Sequence, residues 1–190
     1  MKLFAILGAL TLMATAPIAQ AANPVVVMET SMGTIKIELY EDKAPVTVKN
    51  FLNYVDKKHY EGLVFHRVIE NFMIQGGGFD KDLKERKNDP PIKNESVNGL
   101  KNEKGTLAMA RTRVADSATS QFFINTKNND FLDKANAQDG VGYCVFGRVT
   151  EGLDVVDKIK KVKTGAKGPF GEDCPVEDVV IKSVKRADAK

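Results

Sequence analysis

A mainly β fold, an antiparallel barrel capped by two helices, is what this 190-residue sequence predicts. Three observations carry the prediction. The chain holds many short runs of β-formers, two segments with helical apolar spacing, and neither an internal repeat nor a low-complexity tail. So many short strands leave exposed edges unless the sheet closes on itself, and closure removes them.

Residues 25–30 read as a strand, Ser31-Met32-Gly33 as a turn, and 34–40 as the partner strand, where Ile35, Ile37 and Leu39 alternate with Lys36 and Glu38. That is a hairpin with one buried face. Pro45 then opens a segment with Val48, Phe51, Leu52 and Val55 at i, i+3, i+4 and i+7. Proline in the first turn and that spacing predict an amphipathic helix whose Phe51 and Leu52 meet the core. Strands follow near 64–69 and 72–75. If they pair, alternation places Phe65 and Arg67 on one face, and Met73 and Gln75 on one face of the second strand. From 76 to 105 the composition turns polar, with Gly76-Gly77-Gly78 and Pro90-Pro91, and reads as a long functional loop with little regular structure. Further strands are expected at 106–110, 121–125 and 143–149, then a helix at 151–160 on Leu153, Val156 and Ile159, and a last strand at 179–184. Phe122 and Phe123 alternate, so one belongs to the core and the other to a surface groove.

The first 21 residues stand apart. Lys2 supplies a positive start, residues 3–13 an apolar run, and Ala19-Gln20-Ala21 a small-residue cleavage site, the pattern of a secretory signal peptide. The run is short for a bilayer span, and no Cys follows the cleavage site to carry a lipid, so no membrane anchor is expected. The expectation is a cleaved leader at 1–21 and an exported single domain at 22–190, long enough for a sizeable core. A formal charge of +3, and mixed signs in Lys81-Asp82-Leu83-Lys84-Glu85-Arg86-Lys87, point away from a nucleic-acid partner. Cys144 and Cys174 entering an oxidising compartment can form a disulfide, while Cys144 in its apolar run equally suits a buried thiol. Spacing alone leaves both open. Two Cys and two His, far apart in sequence, give no zinc-ligand spacing, and no metal is expected.

Residues 65–77 carry most of the functional information. Arg67, permanently charged, sits among Phe65, Phe72 and Met73, with Gln75 as a neutral hydrogen-bonding neighbour. Such a surface suits an uncharged, ring-shaped ligand with a polar backbone better than a phosphate or a metal. Gly76-Gly77-Gly78 lacks the Gly-Lys-Ser/Thr that completes a phosphate cradle. His66 as base for Ser96, Ser117 or Ser120 would make a hydrolase without a Gly-x-Ser-x-Gly turn, so a structurally satisfied histidine is expected instead. Asp116, Asp130 and Asp133 read as turn or helix-start residues with no acid–base role.

Four stretches in register, Phe65-His66-Arg67, Phe72-Met73-Ile74-Gln75-Gly76-Gly77, Ser120-Gln121-Phe122-Phe123-Ile124 and Val145-Phe146-Gly147, resemble the cyclophilins over nearly the whole chain after the leader. The resemblance implies a closed eight-stranded antiparallel barrel with two capping helices. It also implies a peptidyl-prolyl cis-trans isomerase that needs no cofactor and acts on proline-containing unfolded or flexible polypeptides. On the same ground Arg67 is the catalytic residue, and Phe72, Met73, Phe123 and Leu132 wall the proline pocket. Gln75 bonds the substrate backbone and steadies Arg67, Ala110 and Arg111 offer main chain to the residue before proline, and Gln121 joins the substrate-binding set. Phe131 stands where many eukaryotic members carry Trp, and Tyr143 where they carry a pocket His. That pairing resembles bacterial members and agrees with an exported, periplasmic protein. Phenylalanine lacks the indole N–H donor, so cyclosporin-type ligands are expected to bind weakly. A monomer is expected, since a barrel leaves no free edge. The alternative is a chaperone-like module that holds proline segments with turnover incidental, which the intact Arg67, Phe72, Gln75 and Phe123 disfavour.

Overall fold

The computed structural model describes residues 22–187, so the expected leader at 1–21 lies outside the described residues. In chain order the elements are β1 (Val25–Thr30), β2 (Gly33–Leu39), α1 (Pro45–Asp56), β3 (Leu63–Ile69), β4 (Met73–Asp80), β5 (Thr106–Met109), β6 (Phe122–Asn125), β7 (Val145–Glu151), α2 (Leu153–Ile159), β8 (Thr164–Gly165), β9 (Cys174–Pro175) and β10 (Ile181–Arg186). Eight strands form one antiparallel sheet in the order β10-β1-β2-β7-β5-β6-β4-β3, while β8 and β9 pair as a small ribbon. The two ends of the large sheet meet where Gly62 N–H donates to Ile181 O at 2.8 Å and Phe65 N–H to Val179 O at 3.0 Å, around a Val64↔Val180 bridge. The barrel is thus nearly closed, by a short seam rather than a full ladder.

Alternation along the strands sorts side chains into two apolar groups. Met28, Ile35, Ile37, Phe65, Ile74, Leu107, Phe122, Ile124 and Phe146 belong to the main core. Helix α1 adds Val48, Phe51, Leu52 and Val55, with the Phe51 ring 5.1 Å from Tyr60, 5.3 Å from Phe146 and edge-on to Phe122 at 5.7 Å. Helix α2 contributes Val155, Val156 and Ile159. The residues next to several of these point the other way. Met73, Ala108, Phe123 and Val145 join Leu132 in a smaller separate cluster, which forms the floor of the site.

Three expectations from sequence are corrected, and one feature is added. First, Phe65 and Arg67 do not share a face. The β3–β4 register shifts between them, Phe65 pairing with Gly76 and Arg67 with Gln75, so a bulge at His66 leaves Phe65 in the core and turns Arg67 outward. Second, Gly76-Gly77-Gly78 is not loop: β4 runs through it to Asp80. Gly77 has a φ of +88°, and a Cβ there would lie 2.9 Å from Ser120 O; one on Gly78 would strike the Gln121 side chain. The glycines let strand and neighbour approach closely. Third, the helix expected at 151–160 begins only at Leu153, because Gly152 takes a left-handed conformation at its N-cap. In addition, the ribbon β8–β9 and the 3-10 segment Gly168–Asp173 between its strands carry no apolar period and were not expected. The two thiols are free and buried. Burial raises the Cys144 thiol to about 11, which keeps it protonated beside Thr47 Oγ1.

Candidate active site

The barrel register assembles the site. On its outer face Arg67 of β3 lies opposite Gln75 of β4, and Gln75 lies opposite Phe123 of β6. Adjacent strands stand about 4.8 Å apart, so cation, amide and aromatic ring form one row across three strands. Beside this row is a cavity of about 120 Å³ lined by Arg67, Phe72, Met73, Gln75, Ala110, Arg111, Phe123, Leu132 and Tyr143. An apolar cavity of about 150 Å³ holds benzene, so the space suits one small ring. Gln121 and Phe131, also expected in the site, do not line the cavity. Gln121 Oε1 accepts a hydrogen bond from Gln75 Nε2 at 3.0 Å, and Phe131, 54% exposed, lies beside Phe72 with ring centres 5.6 Å apart.

Each wall has its own support. The Phe72 carbonyl accepts from Thr126 N–H at 3.1 Å and from Asn129 Nδ2 at 2.8 Å. Asn129 also donates to Asn125 Oδ1, Asn125 to Asn102 Oδ1, and Asn102 to Asp133 Oδ1, a buried polar chain beneath the pocket. Sequence reasoning missed these asparagines, since nothing in their spacing distinguishes them from turn residues. On the opposite wall the Tyr143 ring meets Phe123 edge-on at 5.8 Å. The Arg111 guanidinium lies over the Tyr143 ring, 4.4 Å from its centre. Arg111 is fixed there by Gly142 O at 3.0 Å and by the Asp139 carboxylate. That pair, helped by the N–H groups of Val141 and Gly142, holds the Asp139 carboxyl down at about 2. The N–H of Ala110 donates to Gln121 O at 3.0 Å, so this donor is engaged within the protein.

Arg67 is half-exposed, and its Nε–H donates to Asp173 Oδ2 at 3.2 Å. The steadying contact expected from Gln75 is therefore made by another residue, because the Gln75 amide turns to Gln121. Asp173 was not singled out from sequence: it is 106 residues away from Arg67 in the chain. His66 is buried, with its ring 4.8 Å from both Phe79 and Phe170. Desolvation lowers its pKa to about 4, with the Arg67 charge acting in the same direction. A neutral histidine walled by two phenylalanines, with its Nδ1 unbonded, does not activate a serine. The hydroxyl of Ser120 is engaged with Gly77 O at 2.7 Å. The hydrolase geometry is absent among the described residues.

Chemically, the site offers an apolar slot for a ring, a permanent cation at its edge, and polar main chain along one side. Among the residues lining the cavity there is no serine, cysteine or histidine. Such a surface can hold an uncharged ring and polarise a group beside it.

Residues 25–186 match the family model for cyclophilin type peptidyl-prolyl cis-trans isomerase/CLD. Peptidyl-prolyl cis-trans isomerase B of Escherichia coli (strain K12) is 55% identical over 160 residues, which cover 84% of this chain and 97% of that protein. Peptidyl-prolyl cis-trans isomerase A of Dickeya dadantii (strain 3937) is 48% identical over 184 residues, covering 96% and 95%. Among solved structures, a Cryptosporidium parvum cyclophilin type peptidyl-prolyl cis-trans isomerase superposes with a TM-score of 0.70 over 88% of this chain and 99% of its own, at 24% identity.

Proposed function

The chain belongs to the cyclophilin-type peptidyl-prolyl cis-trans isomerases, cofactor-independent enzymes acting on proline-containing peptides, and from that premise we propose how this site performs the reaction. The observation that carries the proposal is the row Arg67–Gln75–Phe123 beside a ring-sized cavity. Rotation about an X–Pro bond breaks amide resonance against a barrier of about 18–20 kcal/mol and takes tens to hundreds of seconds unaided. In the twisted state the prolyl nitrogen regains a lone pair that the planar amide lacks. An Arg67 N–H directed at that nitrogen bonds more strongly to the twisted state than to either planar isomer, which is the differential binding that speeds a chemical step.

Phe72, Met73, Phe123 and Leu132 hold the proline ring still while the preceding carbonyl turns. Gln75 and the main chain of Ala110 and Arg111 hold the peptide backbone, and Gln121 fixes the Gln75 amide. The Arg111–Tyr143 stack and the Phe131 rim shape the approach. A 10⁵-fold acceleration corresponds to about 7 kcal/mol, within reach of one charge-assisted hydrogen bond combined with positioning. Support for small proline ligands comes from the Cryptosporidium parvum protein, which has also been solved in the presence of the dipeptide Ala-Pro. The test is a protease-coupled proline-peptide assay on residues 22–190 and on Arg67→Ala. The expected result is a rate well above buffer for the parent chain and a loss of about 100-fold or more in the variant, as for removal of one preorganised donor. Comparable rates remove Arg67 from its role, and a parent rate equal to buffer with peptide binding retained favours the holding module.

The N-terminal pattern supports a role in folding exported, periplasmic proteins, where proline isomerisation limits folding. Recovery from the periplasmic fraction of a chain beginning at Ala22 checks it; a cytoplasmic chain retaining Lys2 contradicts it. Cyclosporin-type ligands are expected to bind weakly, because Phe131 offers a ring without an N–H donor. An inhibition constant in the nanomolar range overturns that expectation.

A further inference from the structure

Arg67 has a long stem, and a half-exposed arginine gives up rotamer freedom when it is fixed. Among the described residues the carboxylate within bonding distance of it is Asp173, which stands at the end of the 3-10 segment Gly168–Asp173. Several contacts tie this segment to the rest of the fold. Its two flanks are clasped by the β8–β9 pairs Thr164↔Pro175 and Gly165↔Cys174. Phe170 packs on His66 and Phe79, each with ring centres 4.8 Å away, and Lys167 Nζ binds Asp178 Oδ1 at 2.6 Å. Leu83 lies so close under Gly168 that a Cβ there would come 2.7 Å from its Cδ1. The strap therefore sets a carboxylate beside β3, and Phe170 packs on the residue adjacent to Arg67.

The mode of contact matters. A carboxylate that blocked Arg67 would occupy its η nitrogens, as the Asp56 carboxylate occupies one η nitrogen of Arg186 besides its Nε. Asp173 takes Nε–H instead, which leaves the four η N–H donors for the cavity that Arg67 lines. Arginine keeps its charge without help, so the carboxylate contributes direction rather than ionisation.

We propose that Asp173 is a positioning residue for the isomerase reaction, and that the strap Gly165–Cys174 exists at this site to hold the Arg67 guanidinium with its η edge toward the prolyl nitrogen. The proposal rests on the role given to Arg67 above.

The experiment uses the full chain after the leader, with Asp173→Ala, Asp173→Asn and Arg67→Ala compared by kcat and KM, by thermal unfolding and by the ¹⁵N–¹H resonance of Arg67 Nε. Asp173→Ala is expected to lower kcat about tenfold, as misdirected catalytic groups do, with KM within about twofold. Its Arg67 Nε–H resonance shifts and exchanges faster. Asp173→Asn falls between, since its amide oxygen accepts the bond without charge. The unfolding midpoint stays near the parent value, because a half-exposed pair contributes little to stability. Parent-like kcat in Asp173→Ala with a depressed Arg67→Ala overturns this proposal alone. A parent-like rate in Arg67→Ala overturns it together with the reading it rests on. A slower Asp173→Ala whose Nε–H resonance is unmoved, or whose midpoint has collapsed, assigns the loss to packing and overturns the positioning role. A faster Asp173→Ala makes the contact a block and overturns it as well.

Discussion

Phe65, His66 and Arg67 are consecutive but occupy three environments: barrel core, aromatic cage and solvent-facing site. Their types were legible as a functional cluster in the sequence. Their faces were not, because a period of two assumes an unbroken ladder and the bulge at His66 inserts a residue. The neighbouring pair Phe122 and Phe123 follows the period, one in each apolar cluster. Burial of His66 makes stability depend on pH with a definite sign. Its folded pKa of about 4 lies below the ordinary 6.5, so the unfolded chain takes up the proton first. The stability that depends on neutral His66 is complete above pH 6.5 and is lost as pH falls toward 4, by about 3 kcal/mol in all. Urea unfolding between pH 7 and 4 checks this against His66→Phe, in which the decline is expected to be smaller by about that amount. Parallel declines in the two chains contradict it. His59, also lowered by burial, contributes to both and cancels in the difference.

At the scale of elements, whatever is local in sequence was legible: the β1–β2 hairpin, the apolar stripe of α1, and the proline in its first turn. The cap of α1 was not. Ala44 at the N-cap has no side-chain acceptor, and the first-turn N–H groups of Val46 and Thr47 are met at 3.1 and 2.8 Å by the carboxylate of Glu95, which also accepts from Thr47 Oγ1. A carboxylate at a helix N-terminus satisfies unpaired donors and complements the helix dipole. Glu95→Ala is expected to cost about 1–2 kcal/mol in denaturant unfolding, with kcat/KM unchanged. A change below about 0.3 kcal/mol shows that water replaces the cap at no cost. This contact also explains why 81–105, the part of the expected 76–105 loop that follows β4, is mostly irregular yet anchored. Glu95 joins it to α1, Arg86 Nη1 binds the carbonyls of His59 and Glu61, and Ile92 pairs with Ala118.

For the whole molecule, a β-rich chain with two helices follows from the sequence, but strand order and seam do not. Strand β2 pairs with β7 and β10 with β1, contacts that no local pattern encodes. The face that carries the candidate site is likewise a product of register. Arg67, Gln75 and Phe123 become neighbours because β3, β4 and β6 are adjacent, and only the resemblance of four motifs brought them together beforehand. Asp173 and the buried asparagines escaped because their meaning lies in what the fold sets beside them. The short seam joins the two end strands, β3 and β10, which supports the proposal of a monomer; sedimentation at the mass of two chains contradicts it.

Arg67 is proposed to bond to the twisted amide more strongly than to the planar one. Exchange NMR on a proline peptide measures both quantities in one sample: the affinity for each planar isomer and the rate of interconversion on the protein. Preferential bonding predicts that Arg67→Ala slows on-enzyme exchange by about 100-fold or more, while the dissociation constants of the cis and trans peptide change by less than about threefold. A proportional loss of affinity and rate, or exchange at the parent rate, contradicts it.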